Sequence, residues 1–486
     1  MLNGKERKKK HFIAVLGTGL YSPCTYFWGD RDCDTKFVQE AVLKLVCGEL
    51  YPEDRITICL TKDARRLNWE NRPYSQQEIE KKIGTATGIY QGLHPVLKSC
   101  LKEVPDIKIE EKNIATGKDS REIAQMFSEI YDVIGENEEI YFDITHGLRN
   151  IPMLVMSILE YAKVTKDIAI GGIYYGAFEV GTSDVETEKK RVTIYDLTFY
   201  HTIMSWSNAA NSFIQYGHAD EINKLANEKW QLLSRTAGKK GQNLKELSGD
   251  LNSVAKYLQE FTTSIETGRG KTGYKNGIRK WYGEYVSLQK TTSEHLIEEY
   301  YPFRELLDKI EQKMDLFKEA QTNLQIGMAT IDWCIENHMV QQGYTALEET
   351  LKTFLCEKLS VPQEEEFWRE TVVKRLCTSL YYVIEMDRSE ADSKLEEWKS
   401  YIQKEKPDQE QIEDAMKKGA ELFHMIVEKE EHKKLIKLMN TISLKRNDIS
   451  HFGFTDHTAT AGNLKKDLII LTDEFREIQK KWDVSI

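Results

Sequence analysis

Between residues 11 and 200 short apolar runs alternate with segments of helical period, and beyond about residue 200 only the helical period continues. The first pattern predicts a doubly wound, mainly parallel sheet covered by helices; the second predicts an all-helical remainder. In the first part, residues 12–16 form a compact apolar strand that ends in Gly17-Thr18-Gly19. A helix is predicted over 34–50, with Phe37, Val38, Ala41, Val42, Leu45 and Val46 on one side. Residues 55–61 read as a second strand, the polar 76–83 segment opens another helix, and Ile107 and Ile109 mark a short strand. Asp119 and Glu122 form a capping-box-like pair ahead of Ile123, Met126, Phe127 and Ile130. A strand over 140–144 runs into Thr145-His146-Gly147. The next helix carries Ile151, Leu154, Val155, Ile158 and Ala162, with Pro152 in its first turn. Strands over 169–178 and 191–197 complete the sheet.

A chain of 486 residues has room for two or three domains with their own cores. Its net charge of −11 argues against coating nucleic acid by bulk electrostatics, so any RNA contact must be local. The eight cysteines make no CxxC pair and no zinc-like block, which predicts reduced thiols and no metal site. Lys8-Lys9-Lys10 ahead of the 12–16 run imitates a signal peptide, but the run is short and no cleavage site follows. The longest apolar stretch, 151–159, is far below a membrane span. The expectation is a cytoplasmic protein with no membrane contact.

Ligands in doubly wound sheets bind at the carboxyl ends of strands, near a topological switch point. Two strand ends carry suggestive residues. Gly17-Thr18-Gly19 permits close backbone approach and offers a hydroxyl, yet Ser22 stands where a dinucleotide fingerprint needs a third glycine, and a plain tight turn is an equal reading. Asp143-Ile144-Thr145-His146-Gly147-Leu148-Arg149-Asn150 sets Thr, His, Arg and Asn around a helix N-terminus, where free N–H groups favour an anion. A capped helix with a satisfied histidine is the alternative.

Near the C-terminus, Leu435, Leu438, Met439 and Ile442 form a helical stripe whose continuation is Arg446 and then Ile449. A cation on an apolar face needs a partner or a task. His451 follows five residues after Arg446, about 140° round an ideal helix. One unbroken helix cannot aim both at one phosphate, so either the helix distorts or a second copy completes the site. Between these ends, 201–325 reads as a helical connector. It holds basic turns at 238–241 and 268–271, for which solvation is the simpler reading, and a long amphipathic helix over 298–323. From residue 323 the pattern is helical throughout, and 329–355 forms one segment of it. The charged 363–414 segment looks like an insertion in the last domain.

The strand–GTG opening and the DxTHG stretch resemble the CARF sensor domain of CRISPR-associated proteins, and Arg446 to His451 resembles the R-x4-6-H motif of HEPN ribonucleases. In this order they are similar to the CARF–HEPN effector ribonucleases of type III CRISPR systems, and 341–349 is similar to the first long HEPN helices. The resemblance implies a Rossmann-like α/β CARF domain (1–200), a helical connector (201–325) and an all-α HEPN domain (326–486). It implies a metal-independent endoribonuclease that cuts single-stranded RNA with its own 2′-hydroxyl and leaves a 2′,3′-cyclic phosphate. Arg446 would stabilise the phosphorane, His451 would exchange protons or donate to the phosphate, and Asn447 would order the turn or hold an oxygen. The carboxylates of 348–349 would orient this pair or form an exposed acidic face. Thr18, Gly19, Thr145, His146, Gly147 and Arg149 would line a pocket for a cyclic oligoadenylate, cyclic tetra-adenylate foremost, across a homodimer or higher oligomer. No cofactor is implied. Rival expectations are an inert sensor or adaptor, a sensor that also degrades its ring ligand, and a nucleotide-cofactor enzyme using the Gly17 loop.

Overall fold

The structure, a computed structural model, describes residues 7–80, 87–146, 151–183, 189–236, 242–294, 301–384, 388–404, 409–454 and 458–484. The chain divides into two compact units, Met1–Met204 and Ser205–Ile486.

The strands of the first unit are β1 (Lys9–Leu16), β2 (Cys24–Trp28), β3 (Arg31–Thr35), β4 (Arg55–Leu60), β5 (Arg72–Pro73), β6 (Ile89–Tyr90), β7 (Lys108–Asn113), β8 (Glu138–Asp143), β9 (Ala169–Gly176), β10 (Thr182–Ser183) and β11 (Lys190–Asp196). One sheet runs in the order β3-β2-β11-β9-β8-β1-β4-β7, with β10 against β11, while β5 and β6 form a separate ribbon. From β9 to β7 the pairing is parallel, and β11 joins β9 antiparallel. The predicted doubly wound sheet is present, with an antiparallel edge added. Alternate side chains of β1 reach opposite faces: Phe12, Ala14 and Leu16 enter one apolar cluster, Ile13 and Val15 the other. A strand buried on both faces must be apolar at every position, which is why 12–16 reads as an unbroken run.

The helix predicted over 34–50 is shorter, Val38–Leu45, because Asp34 belongs to β3. The signal overlooked is the turn at Gly29-Asp30, where Gly29 at φ +59° folds β2 back onto β3. Asp119 caps the helix Ser120–Tyr131 by accepting the Glu122 N–H. Glu122 does not complete the box: its carboxylate accepts from Thr116 and Lys118.

Every described element within 217–484 is helical. Two apolar clusters fill the second unit, one around Phe213, Phe261, Trp281 and Trp333, the other around Tyr344, Leu376, Trp398 and Trp482. The helix Asn323–Glu336 serves both, giving Trp333 to the first and Ile331 to the second. It opens with a capping box between Thr322 and Gln325.

Of three sequence expectations, two need correction here and one is refined. The long helix over 298–323 ends at Met314, where one tight turn, Asp315–Phe317, buries Phe317; residues 298–300 lie outside the described residues. The 329–355 segment, read as helical, is two helices, Asn323–Glu336 and Val340–Lys358, which part where His338 takes φ +62°; this refines that expectation and does not overturn it. The 363–414 segment is no add-on, since Trp368, Val372, Leu376, Leu380 and Trp398 lie in the core of the bundle.

Candidate functional site

The predicted residues form two groups, one in each unit. In the first, Ala14 of β1 pairs with Asp143 of β8, so the carboxyl ends of these neighbouring strands open side by side. Strand order reverses around β1, which lies between β4 and β8, and this is the switch point. Thr18 and Gly19 lie exposed beyond β1, with open space around Gly19. Gly17 permits a close approach: a β-carbon there would stand 3.2 Å from the Tyr21 hydroxyl and 3.3 Å from Cβ of His146. The loop is held from outside, for Asn68 Nδ2 donates to the carbonyls of Gly17 (2.8 Å) and Gly19 (3.0 Å). The Tyr90 hydroxyl in turn donates to Asn68 Oδ1 (2.8 Å).

Asp143 is fully buried and accepts from the N–H (3.0 Å) and hydroxyl of Thr145. Thr145 Oγ1 also accepts the Gly176 N–H (2.8 Å) and so ties β8 to β9. That hydroxyl anchors the sheet rather than facing a ligand. Burial pushes the Asp143 carboxyl up to about 7, and its Oδ2 has no partner among the described residues. His146 meets the Tyr21 ring edge-on at 4.6 Å. Burial lowers its imidazole to about 4, and its Nε2 finds no partner among the described residues. A neutral imidazole with an unpartnered Nε2 thus stands beside Gly17 and Tyr21, equipped to hydrogen-bond a ligand. Gly147 and Arg149 lie outside the described residues.

Sequence reasoning did not find Tyr21, Asn68, Tyr90 or Lys36. These four share one side of the strand ends. A cavity of about 450 Å³ there is lined by Tyr21, Lys36 and Tyr90. The Lys36 ammonium sits 3.4 Å above the Tyr90 ring and is lowered to about 8 by burial and by Arg72. No local pattern joins four residues brought together by sheet topology.

In the second unit the helix Glu430–Ser450 buries Leu435, Leu438, Met439 and Ile442, as the stripe requires. Arg446 continues it, and its partner is Glu348: Nη1 lies 3.0 Å from Oε2 of a carboxylate with no exposed surface. Lys374 holds the other oxygen at 2.9 Å. Lys352, 1% exposed, stands 3.7 Å from Glu348 and 2.7 Å from Glu349, and also pairs with Glu370. Glu348 is thus not part of an exposed acidic face but the buried anchor of Arg446. Its signal lay in the apolar neighbours of Val340–Lys358, where a carboxylate at an inward position needs cations.

The Arg446 side chain stays 30% exposed. Its Nη2 donates to Asn447 Oδ1 (3.2 Å), and both residues line a cleft of about 210 Å³ with Lys374, Thr378 and Asn440. The helix runs undistorted to Ser450, and the exposed His451 is its C-cap at φ −79°. Phe452 then turns the chain at φ +56°. Asp448 accepts the Ala459 N–H (3.0 Å) and Ser450 donates to the Arg446 carbonyl (2.9 Å), so both have structural tasks. Of the two ways to unite Arg446 with His451, distortion of the helix is not used. Among the described residues no group of three His, Cys, Asp or Glu could hold a metal, and no helix is long and apolar enough to cross a membrane.

Together these features define a Rossmann-like α/β domain in which Gly17 and His146 meet at the ends of β1 and β8, beside a cavity that holds none of the predicted ligand residues among those described. With it goes a helical unit whose motif helix carries an anchored arginine and an exposed histidine at its end. Residues 11–179 match the family model described as CRISPR system endoribonuclease Csx1, CARF domain. The chain is also similar to a CRISPR-associated protein of Methanocaldococcus jannaschii, 26% identical over 254 residues. That alignment covers 52% of this chain and 34% of the relative, so the chain spans about a third of the length of the relative it matches.

Proposed function

We propose that this protein is a single-stranded RNA endonuclease of type III CRISPR antiviral defence, switched on by a cyclic oligoadenylate bound to its CARF-like domain. The observation that carries the reading is Arg446, clamped by a buried carboxylate yet opening onto a cleft, with His451 free at the end of the same helix. The likeness of 11–179 to a CARF domain supports the sensor half.

The reaction needs a phosphate held in line with the neighbouring 2′-hydroxyl, stabilised charge on the phosphorane, and two proton movements. The 2′-oxygen forms the new bond to phosphorus while the 5′-oxygen leaves, giving a 2′,3′-cyclic phosphate and a 5′-hydroxyl. Arg446 offers the Nη2 side of its guanidinium, which Asn447 orients, to a non-bridging oxygen. His451 takes or returns a proton. Because about 140° separates the two side chains on a straight helix, the working site combines motifs from two subunits in a homodimer. Cyclic tetra-adenylate is the favoured activator, contacting Thr18, Gly19 and His146, with Gly147 and Arg149 beside them and Thr145 keeping the floor in place. Activation requires the ligand to bind one dimer arrangement more tightly than the other.

The test is cleavage of a labelled single-stranded RNA by wild type, Arg446→Ala and His451→Ala. Each substitution is expected to lower the rate by at least about a hundredfold, His451→Ala with unchanged stability and Arg446→Ala with a lowered melting temperature, because Glu348 loses a partner; both are assayed well below their melting range. Products should carry 2′,3′-cyclic phosphate ends. Undiminished cleavage in both variants, or 3′-hydroxyl ends, contradicts the reading.

A further inference from the structure

The cleft at Arg446 does not end there. Lys374 and Thr378, on its wall, also line a second cleft of about 510 Å³, which continues past Arg375 and Ser379 to Tyr382. Glu348 joins the two clefts, taking Arg446 on one carboxylate oxygen (3.0 Å) and Lys374 on the other (2.9 Å). Two cations are thereby set side by side, and both stay open to solvent, Arg446 by 30% and Lys374 by 27%.

The helix Arg375–Tyr381 makes one wall of the second cleft. Arg375, Thr378 and Tyr382 follow at i, i+3 and i+7, so they share a face, and all three are exposed. The opposite face is core, where Leu376, Cys377 and Leu380 are buried. From Lys374 to Tyr382 the open face runs about 12 Å, the length of roughly three stacked nucleotides.

A chain of net charge −11 must gather positive charge locally to hold a polyanion. In the second cleft Lys394 pairs with Glu397 (2.7 Å), and Glu370 pairs with Lys374 (3.5 Å). Arg375 meets no carboxylate among the described residues. Its guanidinium lies 3.2 Å above the Tyr401 ring, which orients it without neutralising it. Tyr382 is 68% exposed, its ring braced edge-on by Tyr381 at 5.3 Å. A single exposed tyrosine needs no explanation. An open ring and an unneutralised guanidinium on one face, leading away from Arg446, match the bases and phosphates of a single strand.

We propose that single-stranded RNA runs from Arg446 along this groove, with neighbouring phosphates on Lys374 and Arg375 and a base stacked on Tyr382. The proposal rests on the reading of Arg446 and His451 as an RNA site, but its test needs no cutting. Fluorescence anisotropy on the full chain, with cyclic tetra-adenylate present, uses a labelled 2′-O-methyl RNA that lacks the attacking hydroxyl. It compares wild type, Arg375→Gln, Tyr382→Ala and Tyr382→Trp, and thermal melts accompany each variant. Both residues are exposed, so neither substitution opens the core. Tyr382→Ala should weaken binding at least about fivefold, and Tyr382→Trp should restore it, because an indole also stacks on a base. Arg375→Gln should flatten the salt dependence, lowering the slope of log affinity against log salt by about 0.7.

Binding of wild-type strength in Tyr382→Ala, or an unaltered slope in Arg375→Gln, overturns the groove. So does absence of RNA binding by wild type at about 100 μM. Unmodified RNA left whole by wild type, with binding still lost in the variants, refutes cutting at Arg446 and supports the groove. Cleavage by wild type with unchanged binding in both variants does the reverse.

Discussion

Glu348 is the residue on which the helical site turns. It has no exposed surface and faces three cations, Arg446, Lys374 and Lys352. Removing one member of a buried charge cluster leaves the others uncompensated, at a cost of about 3–5 kcal/mol. Glu348→Ala should therefore lower stability by that order in urea unfolding. Glu348→Gln keeps the shape and tests positioning: RNA cleavage should fall well below the melting range, with the loss in kcat rather than KM. Unchanged kcat in Glu348→Gln would remove Glu348 from the account. Asp143 makes the matching case in the first unit. Its folded carboxyl is pushed from an ordinary 3.8 up to about 7, so between about pH 4 and 7 the native state keeps a proton that the unfolded chain has released. Stability contributed by this group falls as pH rises through that window. His146 works the other way: lowered from 6.5 to about 4, it makes stability rise with pH over its own interval. Between about pH 4 and 6.5 the two slopes oppose each other in the wild type, so Asp143→Asn should uncover a rise of stability with pH there, measured as the urea midpoint against pH. Superimposable profiles for wild type and variant would contradict the burial argument.

At the scale of elements, the turn formed by 17–19 owes its shape to Asn68, which bonds two of its carbonyls from a distant part of the chain. Asn68→Ala should cost on the order of 1–3 kcal/mol and weaken cyclic tetra-adenylate binding, since the loop loses its brace. Binding as tight as in wild type would show that the brace has no part in recognition. This residue also marks where sequence reading ends. The strands β1, β4, β8 and β9 were legible because burial on both faces leaves short, mostly apolar runs in each. The position of Thr18 and His146 at strand ends followed from the fold class; that the two strands are neighbours came from the pairing of β1 with β8. Asn68, Tyr21 and Tyr90 were not legible, because hydrogen bonds between residues far apart in sequence leave no local period. The β2–β3 hairpin was not read, and only its last residues, Asp34 and Thr35, were drawn into the predicted helix, because Phe37 to Val46 is apolar enough to extend that helix backwards past its start. Arg446 was visible as a cation on an apolar stripe; Glu348 needed the packing of two helices to become its partner.

For the whole molecule, the chain divides into Met1–Met204 and Ser205–Ile486. Within the second unit, Trp333 and Ile331 on one helix join the two apolar clusters. The account links a ligand crevice in one unit to an arginine–histidine site in the other through the arrangement of two subunits. The measurement that tests this most directly is the rate of single-stranded RNA cleavage with and without cyclic tetra-adenylate, in wild type and His451→Ala. The account predicts cleavage by wild type that rises at least about tenfold on adding the ring, and none above background in the variant. Equal rates with and without each cyclic oligoadenylate, or ring-stimulated cleavage that persists in His451→Ala, would contradict it.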